Sequence, residues 1–179
     1  MFVVNTFDEI RPAVLKVLNA NRNKKCFAAI DVDSTILTRD ANTVFRVEAG
    51  VYIRDMLHEK GIPFVYITAR PDTVLSRAVL HQDFLNVGIR EPKMVIFRPE
   101  HVVGCTAISN YKAQARGMIE NRYSTPCVLN VGDQWSDLFV LDDAEKQGLN
   151  DIFGSTTFVW FSEPSNQFGT VKWNLKLPE

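Results

Sequence analysis

The chain has 179 residues, 46% of them apolar and 23% charged, with a formal net charge of −1. That length suits one domain spanning 1–179 with a sizeable core, and that balance excludes wholesale disorder. The near-neutral charge excludes a general attraction to nucleic acid or anionic membrane, and no apolar run is long enough to span a bilayer.

The N-terminal segment does not read as a secretory signal, because acids come early and the Lys/Arg cluster follows the apolar stretch. Cys26, Cys105 and Cys127 are odd in number, far apart and without zinc spacing. They read as free thiols in a reducing compartment, so a cytoplasmic location is expected.

In chain order, helical spacing from Thr6 to Leu18 predicts a first helix with Thr6 as N-cap. Lys25–Ile30 is a short buried strand. A polar segment follows, and Val44–Val47 suggests a small hairpin or flap. Gly50–Lys60 reads as a helix ended by Gly61, Ile62–Ile67 as a second strand and Pro71–Leu85 as a helix. Lys93–Phe97, Cys127–Val131 and Thr156–Phe161 complete five predicted strands, with helices over Ser109–Asn121 and Asp133–Gly148. Apolar strands alternating with helices predict an α/β fold: a Rossmann-like, doubly wound, mainly parallel five-stranded sheet with helices on both faces. The turn-rich tail, Ser162–Glu179, is expected to pack on the body or to serve an oligomer contact.

The chemistry collects at strand ends, where ligands bind in sheets of this kind. The first strand runs out in CFAAIDVDST, and strand alternation sets Asp31 and Asp33 side by side. Paired carboxylates can divide labour between nucleophile and proton carrier, although the same letters also suit a simple turn. The second strand ends ITARP, bringing Thr68 and Arg70 to the same edge, where Thr68 can equally cap the next helix. The fourth ends NVGDQWSD, with Asp133 at the edge and Asp137 one helical turn on; Lys112 lies in the preceding helix. Acids on two strand ends, a hydroxyl on a third and one lysine make a site for a divalent cation and a phosphate. Hard oxygen ligands favour magnesium. His58, His81 and His101 show no metal-site spacing, and the aromatic residues form no basic stripe.

These residues resemble the four ordered motifs of the haloacid dehalogenase-like (HAD) superfamily of phosphohydrolases: DVDST, the apolar run ending in Thr68, Lys112, and GDQWSD. ITARP, YKAQAR (Tyr111–Arg116) and GDQWSDL look like its acid-phosphatase-like branch, subfamily IIIB, which includes class B acid phosphatases and plant vegetative storage proteins. The resemblance implies that Asp31 is the nucleophile of an aspartyl-phosphate mechanism and Asp33 the general acid and base. It implies that Thr68 and Lys112 hold the phosphoryl group. Magnesium would sit on Asp31, the Asp33 carbonyl and Asp133, with Asp137 contacting the metal through water or orienting Lys112. Arg70 and Trp135 fit the branch as substrate-side residues. Ser34 departs from the glycine or acid more usual there, and the leader of secreted class B enzymes is missing.

Neither interval between motifs has room for a separate cap domain. An open site is therefore expected, compatible with a phosphoprotein or nucleic-acid end, with small phosphomonoesters such as nucleotides, or with a homo-oligomer whose partner subunit supplies a lid. A response-regulator receiver is a poorer match, lacking both DxD and GDxxxD. A catalytically weak storage or binding protein on the same fold, and a phosphotransferase, remain the alternatives.

Overall fold

A computed structural model of the chain describes residues 1–90, 92–163 and 167–179. In order, the elements are β1 (Phe2–Val4), α1 (Phe7–Asn21), β2 (Phe27–Ile30), β3 (Leu37–Asp40), β4 (Thr43–Arg46) and α2 (Glu48–Glu59). Then come β5 (Phe64–Pro71), α3 (Val74–Asn86), β6 (Val95–Arg98), α4 (Cys105–Tyr123) and β7 (Cys127–Gly132). The chain closes with α5 (Trp135–Leu138), α6 (Asp143–Phe153), β8 (Phe158–Glu163) and β9 (Lys172–Lys176).

The main sheet has seven strands in the order β1-β8-β9-β7-β2-β5-β6. Only β8 opposes its neighbours; β2, β5, β6, β7 and β9 pair in parallel. The five strands expected from sequence are all present, joined by β1 at one edge and by β9 between β7 and β8. The tail is thus not merely packed on the body: Lys172–Lys176 enters the sheet, hydrogen-bonded on both sides. Positions 164–166 of that tail lie outside the described residues. β3 and β4 form a separate two-stranded hairpin, the flap.

The helix expected over Ser109–Asn121 begins earlier, at Cys105, and two other helix boundaries differ from expectation for local reasons. β5 runs on through Pro71, and α3 starts after Thr73, whose Oγ1 accepts from the Ser76 amide at 3.0 Å. The predicted Asp133–Gly148 helix is two helices. Asp142 and Glu145 exchange backbone-to-carboxylate hydrogen bonds at 2.8 Å each, a capping box that starts α6 afresh.

Strand alternation divides the core. Ala28 and Ile30 of β2 join Tyr66 in the larger cluster, packed with Val14, Leu57 and Phe84 from α1, α2 and α3. Phe27 and Ala29 face the opposite way, with Val65, Ile67, Tyr111 and Ile119 against α4. Burial on both faces explains why these strands read as unbroken apolar runs. The order of β2, β5 and β6 then places the chain reversal between β2 and β7, and this crevice takes ligands in doubly wound sheets.

Gly50 sets how closely α2 approaches that crevice, since a Cβ there would lie 1.7 Å from the Thr35 carbonyl oxygen. Gly50→Ala is therefore expected to lower the melting temperature by several degrees, as roughly 1–3 kcal/mol of overpacking does in a chain this size. Gly117→Ala, on open helix surface with nothing within 4 Å, should leave it unchanged or raise it. Scanning calorimetry on the two variants checks the contrast.

Candidate active site

Asp31 follows the last residue of β2, and its amide donates to the Val131 carbonyl of β7 at 2.9 Å. The carboxylate is buried. Lys112 Nζ donates to Asp31 Oδ1 and to Asp137 Oδ1, both at 2.5 Å, and is itself 3% exposed. The Thr35 hydroxyl lies 3.2 Å from Asp31 Oδ2 and 3.4 Å from Asp133 Oδ1. Asp31, Asp133 and Asp137 each offer an oxygen within 4.8 Å of the others, so four sequence-predicted residues converge on one point.

The loop after β2 is wound tightly to achieve this. Amides of Thr35, Ile36 and Leu37 all donate to the Val32 carbonyl at 2.8–3.3 Å, and Ser34 adopts a left-handed φ of 61°. At β7, a Cβ on Gly132 would come within 2.3 Å of Asp137 Cβ, so only glycine lets Asp137 fold back over the strand end. Asp137 is fixed further by the Gln134 amide on Oδ2 at 2.9 Å. Arg116 and Asn130 donate to its main-chain carbonyl at 2.8 and 3.2 Å. Asp137 Oδ1 thus meets Lys112 directly while Oδ2 is tied to the backbone of its own turn, an arrangement that suits orienting Lys112.

Thr68 is fully buried, and its Oγ1 accepts from the Arg70 amide at 3.1 Å. Since Thr73 caps α3, the Thr68 O–H is spared that task and can donate toward the strand edge. Tyr111 supports it from behind, its hydroxyl donating to the Ile96 carbonyl at 2.9 Å and lying 3.2 Å from the Thr68 carbonyl. Asp33 differs from Asp31 in being half-exposed, and Arg70 grips it through Nη2 at 2.7 Å and Nε at 3.0 Å.

Trp135 is a correction. Expected on the substrate side, it is 2% exposed and turned into a core cluster. It stacks on Phe139 at 6.3 Å, and its Nε1 donates to Asn150 at 3.0 Å. Next to the apolar neighbours Leu138 and Val159 an indole is worth more inside than out. Sequence reasoning gave no part to Arg39, Asp83, Gln134 or Thr35's bridge between two acids. Only the last had a local signal, a hydroxyl four residues after Asp31.

Electrostatics follow from burial. Desolvation, then Asp137, push Asp31 well above the usual carboxylate range, although Lys112 opposes them. Burial and Asp137 push Asp133 up to about 6. Burial works against the charged form of Lys112, but Asp137 and Asp31 outweigh it and hold the ammonium above its ordinary value.

Residues 39–165 match the family described as HAD superfamily, subfamily IIIB (acid phosphatase). The chain belongs to this family. It is a phosphomonoester hydrolase of the HAD type. Among solved structures, the class C acid phosphatase from Bacillus anthracis shares the fold with a TM-score of 0.53 at 15% identity. The match covers 82% of this chain and 74% of that one. No curated protein matches the chain. The family match begins at Arg39 and so does not include Asp31 or Asp33. No described helix is long and apolar enough to cross a membrane.

Asp133 carries a pH signature in chelated protein. Its folded pKa lies above the unfolded one, so its share of stability is intact below about pH 4 and is lost as pH rises through about 6. Urea unfolding in chelator should show a decline of up to about 3 kcal/mol across that window, relative to Asp133→Asn. Parallel curves for the two proteins would contradict the shift.

Proposed function

We propose that this acid phosphatase is magnesium-dependent and works through an aspartyl-phosphate on Asp31. The observation that carries the reading is the buried triad of Asp31, Asp133 and Asp137, whose carboxylates have Lys112 as their one ion-pair partner among the described residues. Three carboxylates facing one ammonium are short of positive charge, and buried carboxylates need a partner. The donor set is entirely hard oxygen, which fits magnesium. Asp31, Asp133 and the Asp33 carbonyl would hold the ion, which would offset the charge of the triad and of the incoming phosphoryl group.

The chain's own groups then account for the chemistry. An oxygen of Asp31 attacks phosphorus, forming the acyl-phosphate bond as the bond to the leaving oxygen breaks. Asp33 gives its proton to that oxygen. The same residue next takes a proton from water, whose oxygen attacks phosphorus and breaks the bond to Asp31, freeing phosphate. Lys112 has three N–H donors and uses two on Asp31 and Asp137, which leaves one for a phosphoryl oxygen. The Thr68 hydroxyl supplies another. Both aim at where charge gathers in the transition state.

The substrate reading is an exposed phosphomonoester whose bulk stays outside. A cleft of about 220 Å³ opens beside Asp33, lined by Leu37, Thr38, Arg39, Val44 and Arg70 among others. The cleft includes none of Asp31, Thr68, Lys112 or Asp133, so it would receive only the near end of a leaving group, and it is smaller than the roughly 300–1,000 Å³ of sites that enclose a small molecule. A phosphoprotein side chain or a nucleic-acid end therefore suits it better than an engulfed metabolite. A free nucleotide, or a lid from a second subunit, would be the alternative.

Two measurements test this. Phosphate release from an aryl phosphate should require magnesium, and Asp31→Asn should lower it by about a thousandfold or more. Activity persisting in that variant or in excess chelator overturns the mechanism. A panel of phosphopeptides, phosphorylated oligonucleotides, nucleotides and sugar phosphates should rank the first two highest by kcat/KM; a preference for free nucleotides would overturn the substrate reading.

A further inference from the structure

We propose that Asp83 is a positioning residue for the proton-transfer acid, and that it ties the placement of Asp33 to the flap. The inference rests on the reading of Asp33 given above. Asp83 lies within α3, outside every motif, yet its carboxylate is buried. A buried carboxylate in a helix interior is costly unless both oxygens are met. They are. Arg39 of β3 donates to Oδ1 at 2.7 Å, and Arg70 of β5 donates through Nη1 to Oδ2 at 3.0 Å.

Arg70 turns its other edge to Asp33, so one guanidinium is held at both ends. This planar fork fixes direction as well as distance, which a lysine ammonium would not. Asp33 sits on the outer, half-exposed side of the site and has no other side-chain partner among the described residues. Its aim at the leaving oxygen therefore depends on Arg70, and the aim of Arg70 on Asp83. Proton transfer tolerates little error in such placement.

Arg39 adds the flap. It shares Asp83 with Arg70, one oxygen each, and all four charged residues line the cleft beside Asp33 together with Leu37 and Val44 of the flap. A leaving group seated there meets the flap and the acid at once. Both arginines are already committed to carboxylates, so the cleft is not a second anion site. It reads instead as a chain of contacts, Arg39–Asp83–Arg70–Asp33, by which the flap's closure over a leaving group sets the acid's position.

The test is leaving-group dependence. Nitrophenolate departs without a proton, whereas an alkoxide needs one. For Asp83→Asn, kcat/KM should fall about tenfold or more on a simple alkyl phosphate and no more than about threefold on nitrophenyl phosphate. Arg39→Ala, on the exposed flap, should show the same inequality in smaller measure, with Arg39→Lys restoring it; this variant decides the matter if Asp83→Asn does not fold. Unequal losses in Asp33→Asn with equal losses in the Asp83 and Arg39 variants would overturn the positioning role alone. Equal losses in Asp33→Asn itself would overturn the proton-transfer reading and the positioning role with it.

Discussion

Asp31, Asp133 and Asp137 are drawn out of water within 4.8 Å of one another, and among the described residues Lys112 is the cation that meets them, touching two. Two like charges 4 Å apart repel by about 4 kcal/mol at an effective dielectric of 20. Fully burying a leucine or valine side chain returns only about 1.5–3 kcal/mol. The surrounding sheet holds this cluster together, and a bound cation would relieve it. That strain is the reason the arrangement reads as a site for cation and phosphate rather than as structural polarity.

The rest of the fold serves that placement. β2 and β7 lie side by side at the chain reversal, so the acids after Ile30 and Gly132 face each other without a long loop. Gly132 removes the side chain that would block Asp137, and Gly50 lets α2 press on the carbonyl of Thr35, whose hydroxyl bridges two acids. Lys112 reaches the crevice from α4, across the sheet face packed by Phe27 and Ala29. Asp31 is thereby immobilised deep in the crevice, while Asp33 stays half-exposed and held by Arg70. Two carboxylates two residues apart thus acquire different surroundings, as different roles require.

Much of this was legible because the chemistry sits where apolar runs stop. The ends of the apolar runs before Asp31, Thr68 and Asp133 are marked by sharp changes in residue type, although β5 itself runs on past Thr68 to Pro71, and alternating elements give the layer order. β9 was not legible: Lys172-Trp173-Asn174-Leu175-Lys176 has two lysines and an amide in five positions and reads as a solvated tail. In the sheet, Asn174 accepts from Asn130 at 3.4 Å, and the buried Lys176 lies 5.6 Å from the Trp135 ring while donating to the Leu177 carbonyl. Such compensation by residues more than 40 positions away leaves no local trace. Asp83 is hidden in a similar way, since Arg39 lies 44 positions away and Arg70 reaches it only through the turn from β5 into α3. Trp135 misled in the opposite sense, since its neighbourhood in GDQWSD says nothing of which way the ring turns.

Calorimetric titration of magnesium into the chelated protein tests the central claim most directly. The charge-deficient triad should take up a single magnesium ion, more tightly at pH 7 than at pH 5 because protons compete for Asp133, whose pKa is raised to about 6. Asp133→Asn should abolish the binding while the chain stays folded. No binding at millimolar magnesium, or undiminished binding in that variant, would contradict the account.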